Sequence, residues 1–484
     1  MGALSALEPN SVFHFFEEIC KIPHGSGNIE QISDYLVAFA RERELYCVQD
    51  ELKNVVIVKE ATPGYEQEPP VILQGHMDMV AVKKPDCTID MKTEGLKVSV
   101  NGDDVYAEGT SLGGDDGIAV AYSLALLDAK DIPHPKLEVI ITVDEEVGMD
   151  GATFIDLSMI TGSRMVNLDS EDEGIFLVSC AGGARVKCSY PLIRKPVQGV
   201  RYTVRIGGLQ GGHSGCEIQK ERGNSNCLFG RVLYQIGREM NVALLSVNGG
   251  LADNAIPRET VAEVVVDAAK CEVFEQALQA ITAEIAAELI TKDPLFEIVA
   301  ARRECGEFSA IPADRTEQLC AYLFSLPNGV QAMSADMPGL VETSLNLGIL
   351  RTDAEELVAE FSVRSSVESA KKALIQRLCA MTGLIGGQAA VSGDYPGWKY
   401  RKDSPLRDKM ITVFQQMYGR DPQVEAIHAG LECGILGSKI RDLDCVSIGP
   451  DMKNIHTTEE TLSISSTKRV WEYLCTLLAR KDGE

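Results

Sequence analysis

Residues 71–78 read VILQGHMD and residues 137–148 read LEVIITVDEEVG. Each begins as an apolar run fit for a strand and ends in a glycine, a histidine or acids. Near-continuous Val, Ile and Leu suit strands buried on both faces, as in a parallel sheet, rather than the alternating pattern of a half-exposed one. Residues 165–169 (MVNLD) and 445–449 (CVSIG) repeat the design, and a further strand is expected over 54–58. Helical patterns fall between them, over 11–20 with Ser11 as its cap, 29–45, 117–129, 405–418 and 466–479. The two ends of the chain therefore read as one α/β domain with a mainly parallel sheet.

The texture changes near Pro191, Pro196 and Gly199. Strands are expected over 201–206, 243–247, 260–267, 295–301, 341–350, 357–364 and 388–392. Helices are expected over 224–240, 271–289, 313–326 and 368–381. This is the rhythm of antiparallel sheet covered on one face by helices, run through roughly twice without clear sequence self-similarity. The expected organisation is an α/β domain over 1–195 and 393–484, interrupted by an inserted α+β domain over 196–392. A small ligand is expected in the cleft between them.

Composition excludes several function classes. Of 484 residues, 45% are hydrophobic and 24% charged, ordinary for a globular protein and too apolar for disorder. Lys+Arg number 46 against 71 Asp+Glu, a net charge of -25. A phosphate-backbone binder needs the opposite sign, so no nucleic-acid partner is expected. No apolar run approaches the roughly 18 residues of a membrane helix. The opening MGALSALEPN lacks the basic region and apolar run of a secretory signal. Fourteen scattered cysteines with no C-x-x-C pair suggest reduced thiols and a cytoplasmic protein.

The chemistry gathers where strands end. His76 and Asp78 share one side of an extended segment, and a metal-bound imidazole needs an acceptor on its other nitrogen. The turn 109–117, GTSLGGDDG, precedes an apolar helix but lacks the lysine and spacing of a phosphate loop. One acid suffices as a helix cap, so the pair Asp115 and Asp116 suggests a cation. Glu145, Glu146, Asp169 and His456 also lie at strand ends or in the loops beyond, where the crevice of an open parallel sheet lies. Two imidazoles and three or more carboxylates, without a thiolate, suit a pair of Zn²⁺, Mn²⁺ or Co²⁺ ions.

The ordered series GHMD (75–78), GTSLGGDDG (109–117), DEEVGMDGA (144–152), NLDSEDEG (167–174), GGLQGGHSG (207–215), NAIPRE (254–259), HAGLECG (428–434) and SIGPDMKNIH (447–456) resembles the zinc dipeptidase, aminoacylase and carboxypeptidase superfamily. Within it the chain is most similar to the bacterial aminoacyl-histidine dipeptidases, the carnosinase-like peptidase D group. The resemblance implies a di-zinc catalytic domain and an inserted lid. It implies that Asp115 bridges two zinc ions, with His76 and Asp169 on one and Glu146 and His456 on the other. Glu145 would be the general base and Asp78 the partner of His76. A cis peptide between Asp115 and Asp116 is also implied. In the lid, His213 would polarise the scissile carbonyl, and Asn254 and Arg364 would bind an oxyanion or terminal carboxylate. His428 and Gly430 would line the pocket.

The implied reaction is hydrolysis of an unblocked dipeptide, Xaa-His and carnosine-like substrates included, by a metal-activated water with Glu145 as base. Dimeric relatives take the equivalent of His213 from a neighbour's lid, which implies a homodimer through that domain. A doubled lobe would let the same chain supply it. The alternatives are an N-acyl amino acid deacylase or carboxypeptidase on the same scaffold. A catalytically inactive metal-binding protein is disfavoured because no ligand or base is missing.

Overall fold

A computed structural model describes residues 2–483. The chain divides into two compact units. The first runs to Ser179 and is completed by Trp398–Ala426 and by the chain from Leu431 onward. The second comprises Cys180–Gly397 and Ile427–Gly430.

The first unit is built on an eight-stranded sheet, in the order Tyr46–Gln49, Val55–Lys59, Leu137–Thr142, Val71–His76, Arg164–Asn167, Asp444–Ser447, Ile175–Cys180, Gln423–Ile427. The four strands from Leu137–Thr142 to Asp444–Ser447 are mutually parallel. Every residue of Val71–His76 and Leu137–Thr142 is buried, which is why their sequences show no alternation. The strand expected over 54–58 departs from the parallel scheme. Val55–Lys59 pairs antiparallel on both sides, because a short turn joins it to Tyr46–Gln49 as a hairpin. A buried apolar run reports coverage of both faces, not strand direction.

Helices Asn10–Cys20, Glu30–Glu42, Gly114–Asp128, Pro405–Tyr418 and Ile464–Ala479 share one core with these strands. Gly114–Asp128 is apolar all round and buried through Leu127, so it lies wholly inside. Asn10–Cys20 starts after Pro9 without a side-chain cap, so Ser11 does not cap it. A small sheet was not legible in the sequence: Met452–Lys453, Thr461–Ser463, Asp104–Ala107 and Val98–Asn101, in that order. It fastens the loop carrying His456 beside the chain that enters the 109–117 turn.

The second unit holds a nine-stranded antiparallel sheet. Its order is Glu297–Ala310, Lys195–Gly207, Thr260–Val266, Val242–Gly249, Val341–Thr352, Glu356–Ser365, Gly182–Pro191, Gln388–Tyr395, with Gly329–Met333 also beside Val341–Thr352. Two βαββαβ sets generate this order. The first set is Lys195–Gly207, helix Ser225–Gly237, Val242–Gly249, Thr260–Val266, helix Cys271–Leu289 and Glu297–Ala310. The second is Gly182–Pro191, helix Ala313–Ser325, Val341–Thr352, Glu356–Ser365, helix Glu368–Leu384 and Gln388–Tyr395. Across the sheet the strands run fourth, first, third, second and then second, third, first, fourth. The expected boundary at 195 therefore falls too late. Gly182–Pro191 is the first strand of the second set, paired to Glu356–Ser365 over its full length.

The two sets meet along a short seam, Asn248 opposite Arg351 and Gly249 opposite Leu350. Buried amides reinforce it. Asn224 caps its helix by accepting from the N–H groups of Asn226 and Cys227, and donates to Asn346 Oδ1 at 3.0 Å and to the Leu347 carbonyl at 3.1 Å. Asn226 donates to the carbonyls of Gly249 and Leu347. Asn224→Ala removes a cap and leaves the buried Asn346 Oδ1 unpaired, while the Leu347 carbonyl keeps Asn226. It should lower the unfolding free energy of the intact chain by about 2 kcal/mol in urea titration. A change near zero would mean the seam holds without this side chain.

Candidate metal centre

Four parallel strands end on one rim, and each delivers a group. His76 is the last residue of its strand, and Glu145 and Glu146 open the short helix that follows Leu137–Thr142. Asp169 lies two residues beyond Arg164–Asn167, and His456 is on the loop after Asp444–Ser447. Asp115 arrives from the first turn of Gly114–Asp128, after Gly113 in the left-handed region (φ 69°). The peptide between Asp115 and Asp116 is cis. Neither acid caps the helix, so the capping function that could have explained them is absent.

Asp115 stands between the two imidazoles. Its Oδ1 is 3.3 Å from His76 Nε2 and its Oδ2 is 3.1 Å from His456 Nε2. Glu146 Oε1 lies 2.8 Å from His456 Nε2, and Asp169 Oδ1 3.8 Å from His76 Nε2. Potential ligand atoms of Asp115, Glu146 and His456 lie within 4.8 Å of one another, as do those of His76, Glu145 and Glu146. A third such group is His76, Asp169 and Asp116, so Asp116 also offers an oxygen on the His76 side.

The ring of His76 is oriented by Asp78, mainly through its main chain. Nδ1 is 2.9 Å from the Asp78 carbonyl oxygen and 3.4 Å from Oδ1. The Asp78 carboxylate instead accepts from Ser26 Oγ at 2.7 Å and from the Glu145 N–H at 3.1 Å. One residue thus registers the histidine and the candidate base together.

Burial, aided by neighbouring acids, pushes Glu145 up to about 8 and Glu171 and Glu432 to about 7. The same causes hold Asp116 and Asp169 well above the carboxylate range. Asp115 and Glu146 raise His456 to about 10. Against the penalty of burial, His456 and His76 hold Asp115 below its ordinary value. Acids that retain protons at neutral pH for want of a counter-charge are a receptacle for cations. Asp116 Oδ1 is buried with no hydrogen-bond partner. Imidazole and carboxylate donors without thiolate fit divalent zinc, cobalt or manganese.

Two acids with support roles escaped the sequence reading. Glu432 is fully buried, and its Oε2 accepts from Gln74 Nε2 and Thr142 Oγ1, both at 2.6 Å. Its one signal was an acid set in the apolar stretch LECGIL (431–436). Glu460, four residues after His456, is 4% exposed and contacts the turn that carries Asp115.

The second unit carries the remaining expected residues. His213 is half-buried, and its Nδ1 accepts from the N–H groups of Gly215 and Cys216 at 3.2 and 3.1 Å. Those donors place the ring proton on Nε2. Burial, and then Arg364, lower its proton affinity, so the ring is a neutral donor. Arg364 is 9% exposed; Nη1 lies 3.4 Å from the Tyr395 hydroxyl and Nε has no partner. No carboxylate among the described residues pairs with it, which leaves a guanidinium free for an anion. His428 is buried against Ser344 Oγ at 2.7 Å, and burial with Arg364 lowers it to about 4. Asn254 is exposed, with its carbonyl accepting from the Ser214 N–H, and Gly430 is partly exposed. Nothing in the local sequence marks Tyr395 as a partner of Arg364.

Residues 72–480 match Peptidase family M20/M25/M40. The cytosol non-specific dipeptidase of Escherichia coli (strain K12) is 34% identical over 484 residues, covering 99% of both chains. The crystal structure of aminoacylhistidine dipeptidase from Vibrio alginolyticus superposes with a TM-score of 0.92 at 34% identity, covering 99% of this chain and 98% of that one. An aminopeptidase from Bacillus cereus shares the fold at a TM-score of 0.56 and 15% identity, covering 98% of each chain. No helix among the described residues is long and apolar enough to cross a membrane.

Gly75 lets strand, helix and acid meet beside His76. A Cβ there would lie 2.5 Å from both Asp116 Oδ2 and Ala119 Cβ. Gly75→Ala should therefore lower the unfolding free energy by about 1–3 kcal/mol through overpacking, read by urea denaturation. Unchanged stability would mean that strand and helix separate without cost.

Proposed function

The chain belongs to Peptidase family M20/M25/M40, and from that premise we propose that it hydrolyses unblocked dipeptides, Xaa-His and carnosine-like substrates among them. It is a hydrolase acting on peptide bonds. The observation that carries the dipeptide reading is the likeness, along the whole chain, to two proteins named as dipeptidases. One of those names is broad and the other specifies histidine, and both substrate ranges come within the proposal. The cytosolic location in the first name is proposed for this chain as well.

In this reading two divalent cations, zinc by preference, would be held by His76, Asp115, Glu146, Asp169 and His456. When bound, such ions polarise a carbonyl and acidify a water. The rest of the chemistry belongs to the protein's own groups. Glu145, tied through its N–H to Asp78, takes the proton of the attacking water and passes it to the leaving amine. Burial and nearby acids push this carboxyl up, and bound cations would draw it back toward the charged form that a base needs at neutral pH. The Nε2–H of His213 donates to the carbonyl oxygen as charge develops there. Arg364, with its unpaired Nε, takes the terminal carboxylate, and Asn254, His428 and Gly430 complete recognition.

A small panel tests the substrate class. β-Ala-His and Gly-His should be cleaved and an N-acetyl amino acid left intact, with a chelator abolishing the activity. Preference for the N-acetyl compound would instead make the chain a deacylase. For the base, Glu145→Gln should cut turnover by about 10²–10⁴-fold while metal content stays at the wild-type level. Loss of the metal in that variant would reassign Glu145 as a ligand.

A further inference from the structure

Glu460 is buried, makes no ion pair among the described residues, and lies four positions after His456. Its carboxylate accepts from four consecutive main-chain N–H groups. Oε2 takes Leu112 at 2.7 Å and Gly113 at 3.0 Å; Oε1 takes Gly114 at 2.8 Å and Asp115 at 3.4 Å. The first N–H groups of a helix have no carbonyl partner within it. Here a residue 345 positions further along satisfies them, while the side chains of Asp115 and Asp116 stay out of the cap.

The approach is close. A Cβ on Gly114 would sit 3.2 Å from Glu460 Oε1, and Gly113 adopts φ 69°. At its other end Glu460 leads directly into the strand Thr461–Ser463, where Thr461 lies opposite Tyr106 and Leu462 opposite Val105. The His456 loop closes on itself as the Glu460 N–H donates to the Thr457 carbonyl and Thr457 Oγ1 to that of Asn454. One side chain therefore clasps the turn of Asp115 to the loop of His456, two groups whose nearest atoms are 3.1 Å apart.

We propose that Glu460 is a positioning residue for the metal centre, setting the separation of Asp115 and His456 through its clasp on residues 112–115. The proposal rests on the reading of Asp115 and His456 as cation ligands. A carboxylate is needed because all four partners are donors. An amide, whichever way it is turned, sets its NH₂ against two of them.

The test is Co²⁺ titration of the metal-free full-length chain, followed by visible absorption and by competition with a chelator. The variants are Glu460→Gln, Glu460→Asp and Asp115→Asn, each checked for folding by circular dichroism. Folded Glu460→Gln should bind Co²⁺ about 10–100-fold more weakly, with an altered visible spectrum. Glu460→Asp keeps the acceptors but is one methylene short, and should fall between Glu460→Gln and wild type; it carries the test if the amide variant does not fold. Wild-type affinity and spectrum in a folded Glu460 variant would overturn the proposal. Wild-type affinity in Asp115→Asn, or no Co²⁺ bound by the native chain, would overturn the ligand reading on which it rests.

Discussion

Negative charge drawn out of water is the constraint around which the first unit is organised. Asp115, Asp116, Glu145, Glu146 and Asp169 converge with only two imidazoles to offset them. Burial alone would protonate such a set, and several of its members are raised for that reason. Asp115 is held below its ordinary value, because each of its oxygens faces an imidazole. A centre of this kind is stable as a charged assembly only with a compensating cation, which suits it to a divalent ion.

Support for that centre comes from a ring of hydrogen bonds made largely to the main chain. The Asp78 carbonyl orients His76 while its carboxylate holds the N–H of Glu145. Glu460 holds the turn of Asp115, and Glu432 bonds Gln74 and Thr142 on the two strands that lead to His76 and Glu145. Carboxylates suit these tasks because each oxygen accepts more than one donor without adding a donor of its own. The second unit uses neutral imidazole and a free guanidinium instead. Burial, and then Arg364, lower the proton affinity of His213 and His428, which leaves the arginine as the cation of that group.

Much of the first unit was legible because its chemistry sits at strand ends, and strand ends are marked in the chain. An apolar run that stops at GHMD or at DEE announces both the strand and the group it delivers. Sheet order was not legible, and Val55–Lys59 shows why: a run covered on both faces reads alike whether its neighbours run parallel or antiparallel. Ser11 is not the cap because the helix begins one residue earlier, at Asn10, whose N–H donates to Glu8 Oε2 at 3.1 Å. Glu432 carried one local signal, an acid in an apolar stretch, but Glu460 carried none, since nothing local distinguishes an acid that clasps a distant turn from one that is solvated.

The amino-acid sequence by itself determined the central strands and the main helices, the acids and imidazoles available for a cation, and the order in which the chain presents them. It also determined the twofold rhythm of the second unit. Tertiary structure alone decided that the two βαββαβ rounds are nested, one within the other. The first strand of the second set precedes the whole of the first set, so the repeat is spatial and not contiguous. It alone decided, too, that Asp115 and His456 stand within 3.1 Å and that Glu460 binds them into one element. Periodicity and turn chemistry act over a few residues, whereas burial of charge is resolved only between groups that the completed fold brings together.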